Sequence, residues 1–265
     1  MELGIEGNAA LVTASSSGLG KASAEALASE GVNVVVNGRD EERLEKGVED
    51  VRAAATDDAE VVGVQADIAR KDDIEGLVES TVEEFGGLDH LVTSAGGPPS
   101  GPFLQTTDED WYEAFDLLVM SVVRAVREAE PYLREGDGGT VVNITSRSVK
   151  EAIDSLVLSN SVRMSVIGLE KTLSKELAPD VRANAVLPGA HETSRIEELV
   201  EQAVERGDYE DYAEGLKDWS AGVPLERVGE PRELGDVVAF LSSERASYLN
   251  GVAVPVDGGG GASNL

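Results

Sequence analysis

The chain has 265 residues, 41% hydrophobic and 28% charged, which suits one large α/β domain or two small ones. With no cysteine and only His90 and His191, disulfides and thiolate chemistry are excluded and a His-rich metal site has no basis, although carboxylate sites stay open. Fifty-one acids against 22 bases give a net charge of −29, a field that repels nucleic acid and anionic membranes, and no stretch offers the roughly 20 apolar residues of a membrane span.

In chain order, the patterning predicts a strand at 8–13, a helix at 19–30, a strand at 32–37 and a helix at 40–55. A strand at 60–66, a helix at 70–85, a strand at 88–93 and a long helix at 107–134 follow. The remainder reads as strand 139–145, helix 155–178, strand 181–187, helices 194–217 and 230–243, and strand 251–257. Short β-branched runs separated by helices of this length require crossovers and a parallel sheet buried on both faces. Right-handed crossovers then give a doubly wound parallel β-sheet, a Rossmann fold of about seven strands in a single α/β domain over 1–265. The segment 190–225 reads as an insertion over one end of the sheet, the place of a substrate loop.

The first strand runs into "TASSSGLGKASAEALASEG". Strand, small-residue turn and helix together make a pyrophosphate site. Gly18 and Gly20 let the backbone approach phosphates, and the helix N-terminus supplies free N–H groups and positive dipole. In "LVLSNSVRMSVIGLEKTLSKEL", Ser159 and Arg163 stand four apart and share one helix face.

These features resemble the short-chain dehydrogenase/reductase family along nearly the whole chain. Its Thr-Gly-x-x-x-Gly-x-Gly turn is matched by Thr13, Ala14, Ser15, Ser16, Ser17, Gly18, Leu19 and Gly20, with Ala14 in place of the first glycine. "TSAGG" supplies Ser94, Ala95 and Gly96 after the fourth strand, "ADI" supplies Asp67 and Ile68 after the third, and "PGAHET" supplies Pro188, Gly189 and Thr193 after the sixth. The resemblance implies that these residues bind a nicotinamide dinucleotide. An acid closing the second strand would hold the ribose of NAD; here Gly38 and Arg39 stand instead, and a guanidinium pairs with a 2′-phosphate. The expected cofactor is NADP(H), with NAD(H) left open.

The catalytic positions depart from the family pattern. The resemblance places Ser146, at the end of the fifth strand, where a serine polarises the substrate carbonyl. Thirteen residues on, the family has a tyrosine and this chain Ser159; four further, the family has a lysine and this chain Arg163. The family's asparagine position is taken by Leu118. A serine is a far weaker acid than a phenol of pKa about 10, and an arginine stays protonated. Loss of a general acid typically slows a reaction by about 10²–10⁴. Replacement groups are sought in Tyr209, Tyr212, His191 and Glu192, near the substrate loop. Arg163 is expected to meet the cofactor ribose or phosphate, Ser159, or an acid such as Asp154 or Glu192.

Two readings follow. In the first, an oxidoreductase transfers hydride between nicotinamide and a carbonyl or alcohol substrate, with an altered proton-transfer site of Ser146, Ser159 and Arg163. In the second, the chain is a catalytically lapsed dinucleotide-binding or scaffold protein of the same fold. The expected setting is cytoplasmic, with a small-molecule substrate, no nucleic-acid or membrane partner, and no metal. Resemblance implies a homo-oligomer, a dimer or tetramer built on helices 107–134 and 155–178, whose positions Val157, Val162, Val166, Leu169, Leu173 and Leu177 suit sheet packing or a partner helix. The acids are dispersed along the whole chain, as expected of a halophilic surface that high salt screens.

Overall fold

Seven parallel strands form one sheet in the order β3-β2-β1-β4-β5-β6-β7, seen in a computed structural model that describes residues 2–136, 138–205 and 207–263, with the side chains at 195, 198, 199 and 202 outside that description. The strands are β1 (Ala9–Val12), β2 (Asn33–Gly38), β3 (Val61–Gln65), β4 (His90–Thr93), β5 (Gly139–Ile144), β6 (Val181–Pro188) and β7 (Ala253–Val256). Between them lie α1 (Gly18–Ser29), α2 (Glu41–Ala54), α3 (Lys71–Phe85), α4 (Asp108–Phe115), α5 (Ser121–Leu133) and α6 (Val157–Glu176). After β6 come α7 (Ser194–Glu205), α8 (Tyr212–Trp219) and α9 (Pro231–Ser242).

β1 is entirely buried because it is central: Leu11 pairs in register with Val35 of β2 on one side and Leu91 of β4 on the other. The aliphatic runs of the sequence thus become strands with both faces covered. On one face Leu27, Val51, Leu234 and Val238 pack from α1, α2 and α9. On the other, Leu77, Val126, Leu158, Val162 and Val166 pack from α3, α5 and α6. The apolar face of α6 therefore serves sheet packing, with Leu169 and Leu173 half-buried beside it. Strand order reverses between β1 and β4, the switch point where open α/β sheets form a crevice. Among the described residues no helix is long and apolar enough to cross a membrane.

Two predicted helices are broken. The stretch 107–134 contains a π turn at Asp116–Met120 between α4 and α5. Such a turn adds one residue without ending the helix, and buried residues continue on both sides of it, Ala114 before and Val122 after. Arg124 fastens the turn, bonding Asp116 at 2.7 Å and the Ala69 carbonyl at 2.7 Å. The stretch 194–217 is two helices. Gly207, at φ +79°, ends α7, and Asp211 opens α8 by accepting from the Glu214 N–H at 2.9 Å. These are ordinary stop and start signals that the periodicity overrode.

His90 is a core residue. It bridges Asn8 (3.0 Å) and Thr140 (2.9 Å), and burial pushes its pKa down to about 3, so it stays neutral. Glu170 is a less settled core residue: it is 1% exposed, its Oε1 has no hydrogen-bond partner, and burial pushes its carboxyl up to about 7. The unfolded chain releases this proton first, so Glu170 lowers stability as pH rises from 4.5 towards about 7. Glu170→Gln will therefore melt above wild type at pH 8 and level with it near pH 4. A melting difference that does not change with pH would refute this.

Candidate active site

A cleft of about 720 Å³ opens where β1, β2, β4 and β5 end. One end is built by the turn after β1. Gly18 takes φ +59°, a left-handed conformation that glycine accepts without strain. Ala14, in place of the family's first glycine, is also left-handed, at φ +46°, and its N–H is held by the buried Asn37 side chain at 2.9 Å. Ser16, Ser17, Gly18, Leu19 and Gly20 line the cleft, as do Arg39, Ile68, Ser94, Ala95, Gly96, Arg163 and Thr193.

The other residues predicted to bind the dinucleotide frame the cleft and do not line it. Ser15 is fully buried, donating to the Val12 carbonyl (2.6 Å) and accepting from the Asn37 N–H (2.9 Å), so its hydroxyl belongs to the turn. Thr13 bridges to the next loop, donating to the Ser94 carbonyl and accepting from the Ser94 N–H, both at 2.8 Å. The Asp67 carboxylate accepts from the Ala69 N–H at 3.0 Å and lies 4.0 Å from Arg39. Gly189, after Pro188, ties β6 to β7 through its N–H and the Val256 carbonyl at 2.9 Å.

The end of β2 is shaped by a missing side chain. A Cβ on Gly38 would stand 2.7 Å from the Ser16 hydroxyl, so an acid cannot occupy position 38 while Ser16 keeps its place. Arg39, 71% exposed, reaches the cleft beside this gap, and so does Arg43 from the first turn of α2. Arg43 was not foreseen as a cleft residue; its spacing of four from Arg39 was the available signal.

The cleft reaches Thr145 but is not lined by Ser146, Ser148 or Ser159; Ser146 caps a 3-10 turn at Arg147–Val149, its hydroxyl oxygen accepting from the Ser148 N–H at 3.1 Å. That turn brings in Ser148, which the sequence reading missed: its hydroxyl lies 3.2 Å from that of Ser159, both buried. The second serine of "SRS" was the only local hint. Leu118 is 3% exposed and packs in the core, while its neighbour Leu117 lines the cleft from the π turn. π turns inside helices are frequent at functional sites.

Arg163 is 9% exposed, and its partners differ from those expected. The guanidinium donates to the Thr145 carbonyl at 3.4 Å and the Gly96 carbonyl at 3.5 Å, both long, and Nε has no partner. Ser159 turns to Ser148, Glu192 accepts from the Tyr212 hydroxyl (2.9 Å), and Asp154 is exposed, so none of them neutralises Arg163. Burial pushes its pKa down to about 10, which leaves it charged at neutral pH. A buried, poorly bonded cation facing a cleft calls for an electron-rich ligand. With the glycine turn and the free N-terminus of α1, this fits a phosphorylated dinucleotide.

The sought replacement acids lie within the 190–225 segment. Tyr209 donates to Asp218 at 2.8 Å. Tyr212 is tied to Glu192, and burial first, then that carboxylate, pushes its phenol up to about 12. The His191 Nδ1 lies 3.2 Å from the Gly189 carbonyl, and burial lowers its pKa. None of these groups is paired with Ser159 or Arg163.

Known proteins agree with this architecture. Residues 13–260 match the family described as enoyl-(acyl carrier protein) reductase. The oxidoreductase YvrD of Bacillus subtilis is 30% identical over 264 residues, 98% of each chain. The 3-oxoacyl-[acyl-carrier-protein] reductase FabG of Thermotoga maritima is 30% identical over 256 residues, 96% of this chain and 98% of that one. Among solved structures, L-sorbose reductase from Gluconobacter frateurii complexed with NADPH and L-sorbose superposes with a TM-score of 0.93 at 31% identity, covering 100% of both chains. An actinorhodin polyketide ketoreductase with NADPH gives 0.87 at 30% identity, covering 97% of this chain and 98% of that one. The glycine turn, the parallel sheet reversing at β1 and β4, and a likeness that spans whole chains lead to one conclusion: the protein belongs to the short-chain dehydrogenase/reductase family.

Proposed function

We propose that the protein is an NADP(H)-dependent oxidoreductase that transfers hydride between the nicotinamide and the carbonyl or alcohol carbon of a small molecule, with an altered proton-transfer site. The observation that carries this reading is Arg163: a buried guanidinium, charged and with Nε unpartnered, lining the cleft of a dinucleotide fold. Two of the similar solved structures contain NADPH. Gly38, Arg39 and the Ser16 hydroxyl support the phosphorylated form, because the position of an NAD-selecting acid is closed.

The bound dinucleotide would supply or accept the hydride. The protein's part is to orient the carbonyl, stabilise the oxygen's growing negative charge and manage one proton. Ser146 still has its hydroxyl proton to donate, since its oxygen only accepts from Ser148. Arg163 supplies a fixed positive charge in a dry setting, where such charge acts strongly. Neither group is a useful acid near neutrality. The proton must then come from water relayed along the Ser159 and Ser148 hydroxyls, 3.2 Å apart. A pH–rate profile without the limb of a lowered phenol pKa is the expected signature.

The test follows NADPH absorbance across a panel of carbonyl substrates. Ser146→Ala will lower kcat by about 10²–10³ and leave NADPH affinity unchanged. NADPH binding with no substrate-dependent turnover in the wild type would overturn the reading. Arg39→Ala will weaken NADPH binding by about tenfold without affecting NADH, the size of one charge-assisted hydrogen bond at an exposed site. Unchanged NADPH affinity would remove Arg39 from the site.

A further inference from the structure

Ser146 and Ser148 sit at a short 3-10 turn that rests on α6, with the Ser148 and Ser159 hydroxyls 3.2 Å apart. The chain returns there after β7. The Asp257 carboxylate accepts from the Gly259 N–H (3.0 Å) and the Gly261 N–H (2.9 Å), and the Asp257 carbonyl accepts from the Gly260 N–H (3.0 Å). This folds the glycine run into a compact bend with two edges.

One edge grips the end of the substrate segment. The Leu225 N–H donates to the Gly258 carbonyl at 3.3 Å, and a Cβ on Gly258 would stand 2.7 Å from Val223 Cγ1. The other edge grips the serine turn. The Ala262 N–H donates to Glu151 Oε2 at 2.9 Å, and Glu151 pairs with Arg147 at 3.8 Å. A Cβ on Gly260 would stand 2.8 Å from Arg147 Nη1, so the bend lies directly on that guanidinium. Arg147 is the first residue of the turn that Ser146 caps.

We propose that residues 257–262 are a strap that fixes the Ser146–Ser148 turn to the 223–225 end of the substrate segment, with Asp257 and Glu151 as positioning residues. Among the described residues, neither side chain is hydrogen-bonded to Ser146 or Ser148. Asp257 shapes the strap, and Glu151 anchors it through Ala262 and Arg147. The consequence is mechanical: the segment that closes over a substrate and the hydroxyls that orient its carbonyl move as one body. In its catalytic consequence this rests on the function proposed above; in its mechanical part it does not.

The test measures hydrogen exchange in the full-length protein, on peptides covering 146–153 and 220–228, beside steady-state kinetics and NADPH affinity. Asp257→Ala will speed exchange in both peptides by about tenfold, since both lose an anchored edge. Glu151→Ala will speed it only in 146–153, and Glu151→Gln, which keeps an acceptor for Ala262, will restore it. Both alanine variants will lower kcat for the carbonyl substrate by about tenfold with KM rising less, and NADPH affinity will stay within about twofold, because the hydroxyls are displaced and not removed. If Asp257→Ala fails to fold, the two Glu151 variants decide alone. Unchanged exchange in 146–153 in Glu151→Ala overturns the strap. A wild type without turnover overturns the proposed activity instead, and the exchange readout still stands.

Discussion

Arg163→Met will lower kcat/KM by about 10³ and leave the melting temperature level or about 2 °C higher. The two halves of this result come from one fact. Arg163 is 9% exposed and, among the described residues, has no acidic partner and makes only two long bonds to carbonyls while Nε makes none. A structural arginine would be paired, and its removal would strand a partner. Here removal strands only two carbonyl oxygens and relieves a desolvated charge, a change that is often neutral or stabilising. A site arginine instead supplies charge to the cleft, so its loss falls on the reaction. Arg163→Lys keeps the charge and restores the residue type that the resemblance implies, so it will retain activity within about tenfold. A lower melting temperature in Arg163→Met with activity retained would make Arg163 a packing residue and remove the main support of the proposed mechanism.

Raising KCl from 0.1 M to 3 M will raise the melting temperature by 10 °C or more, roughly, as the screening length falls from about 10 Å to below about 3 Å. The net charge of −29 makes the compact state repel itself. The fold offsets part of that repulsion: Asp108, Glu109 and Asp110 lie in the first turn of α4, where a helix N-terminus favours acids. Favourable pairs such as Lys21–Asp50 at 2.6 Å and Arg227–Glu233 at 2.6 Å are surface contacts of small individual worth. With 51 acids and 22 bases, most acids have no base to meet. Full stability in dilute buffer, or an equal gain from an uncharged osmolyte, would reduce the acidic surface to a matter of solubility.

The fold was legible because its signals are local and repeated. Each strand is a Val- or Ala-rich run that has to be buried, and each intervening helix supplies an apolar face for one side of the sheet. The shape of the glycine turn was legible for the same reason, since it lies within one short stretch. What escaped the sequence was long-range or rotational. That Ser15 turns its hydroxyl inward, while Ser16 and Ser17 face the cleft, depends on Asn37 reaching across from β2. The Ser148–Ser159 contact exists only because a 3-10 turn folds back onto α6. The partners of Arg163 are carbonyls from the ends of two different strands, which no spacing rule connects. The π turn at Asp116–Met120 escaped because the helix continues through it, with no glycine or proline to mark it.

The collision between position 38 and Ser16 also says something about the history open to this protein. On the proposed reading, cofactor preference would rest on two positions together, because a side chain at 38 collides with the hydroxymethyl group at 16. Gly38→Asp alone should bind both dinucleotides poorly, and Ser16→Gly alone should only loosen the phosphate turn. A lineage, or an engineer, moving from one cofactor to the other must cross that valley in a paired step, so preference at this site is expected to be inherited more stubbornly than the exposed, easily exchanged Arg39 would suggest.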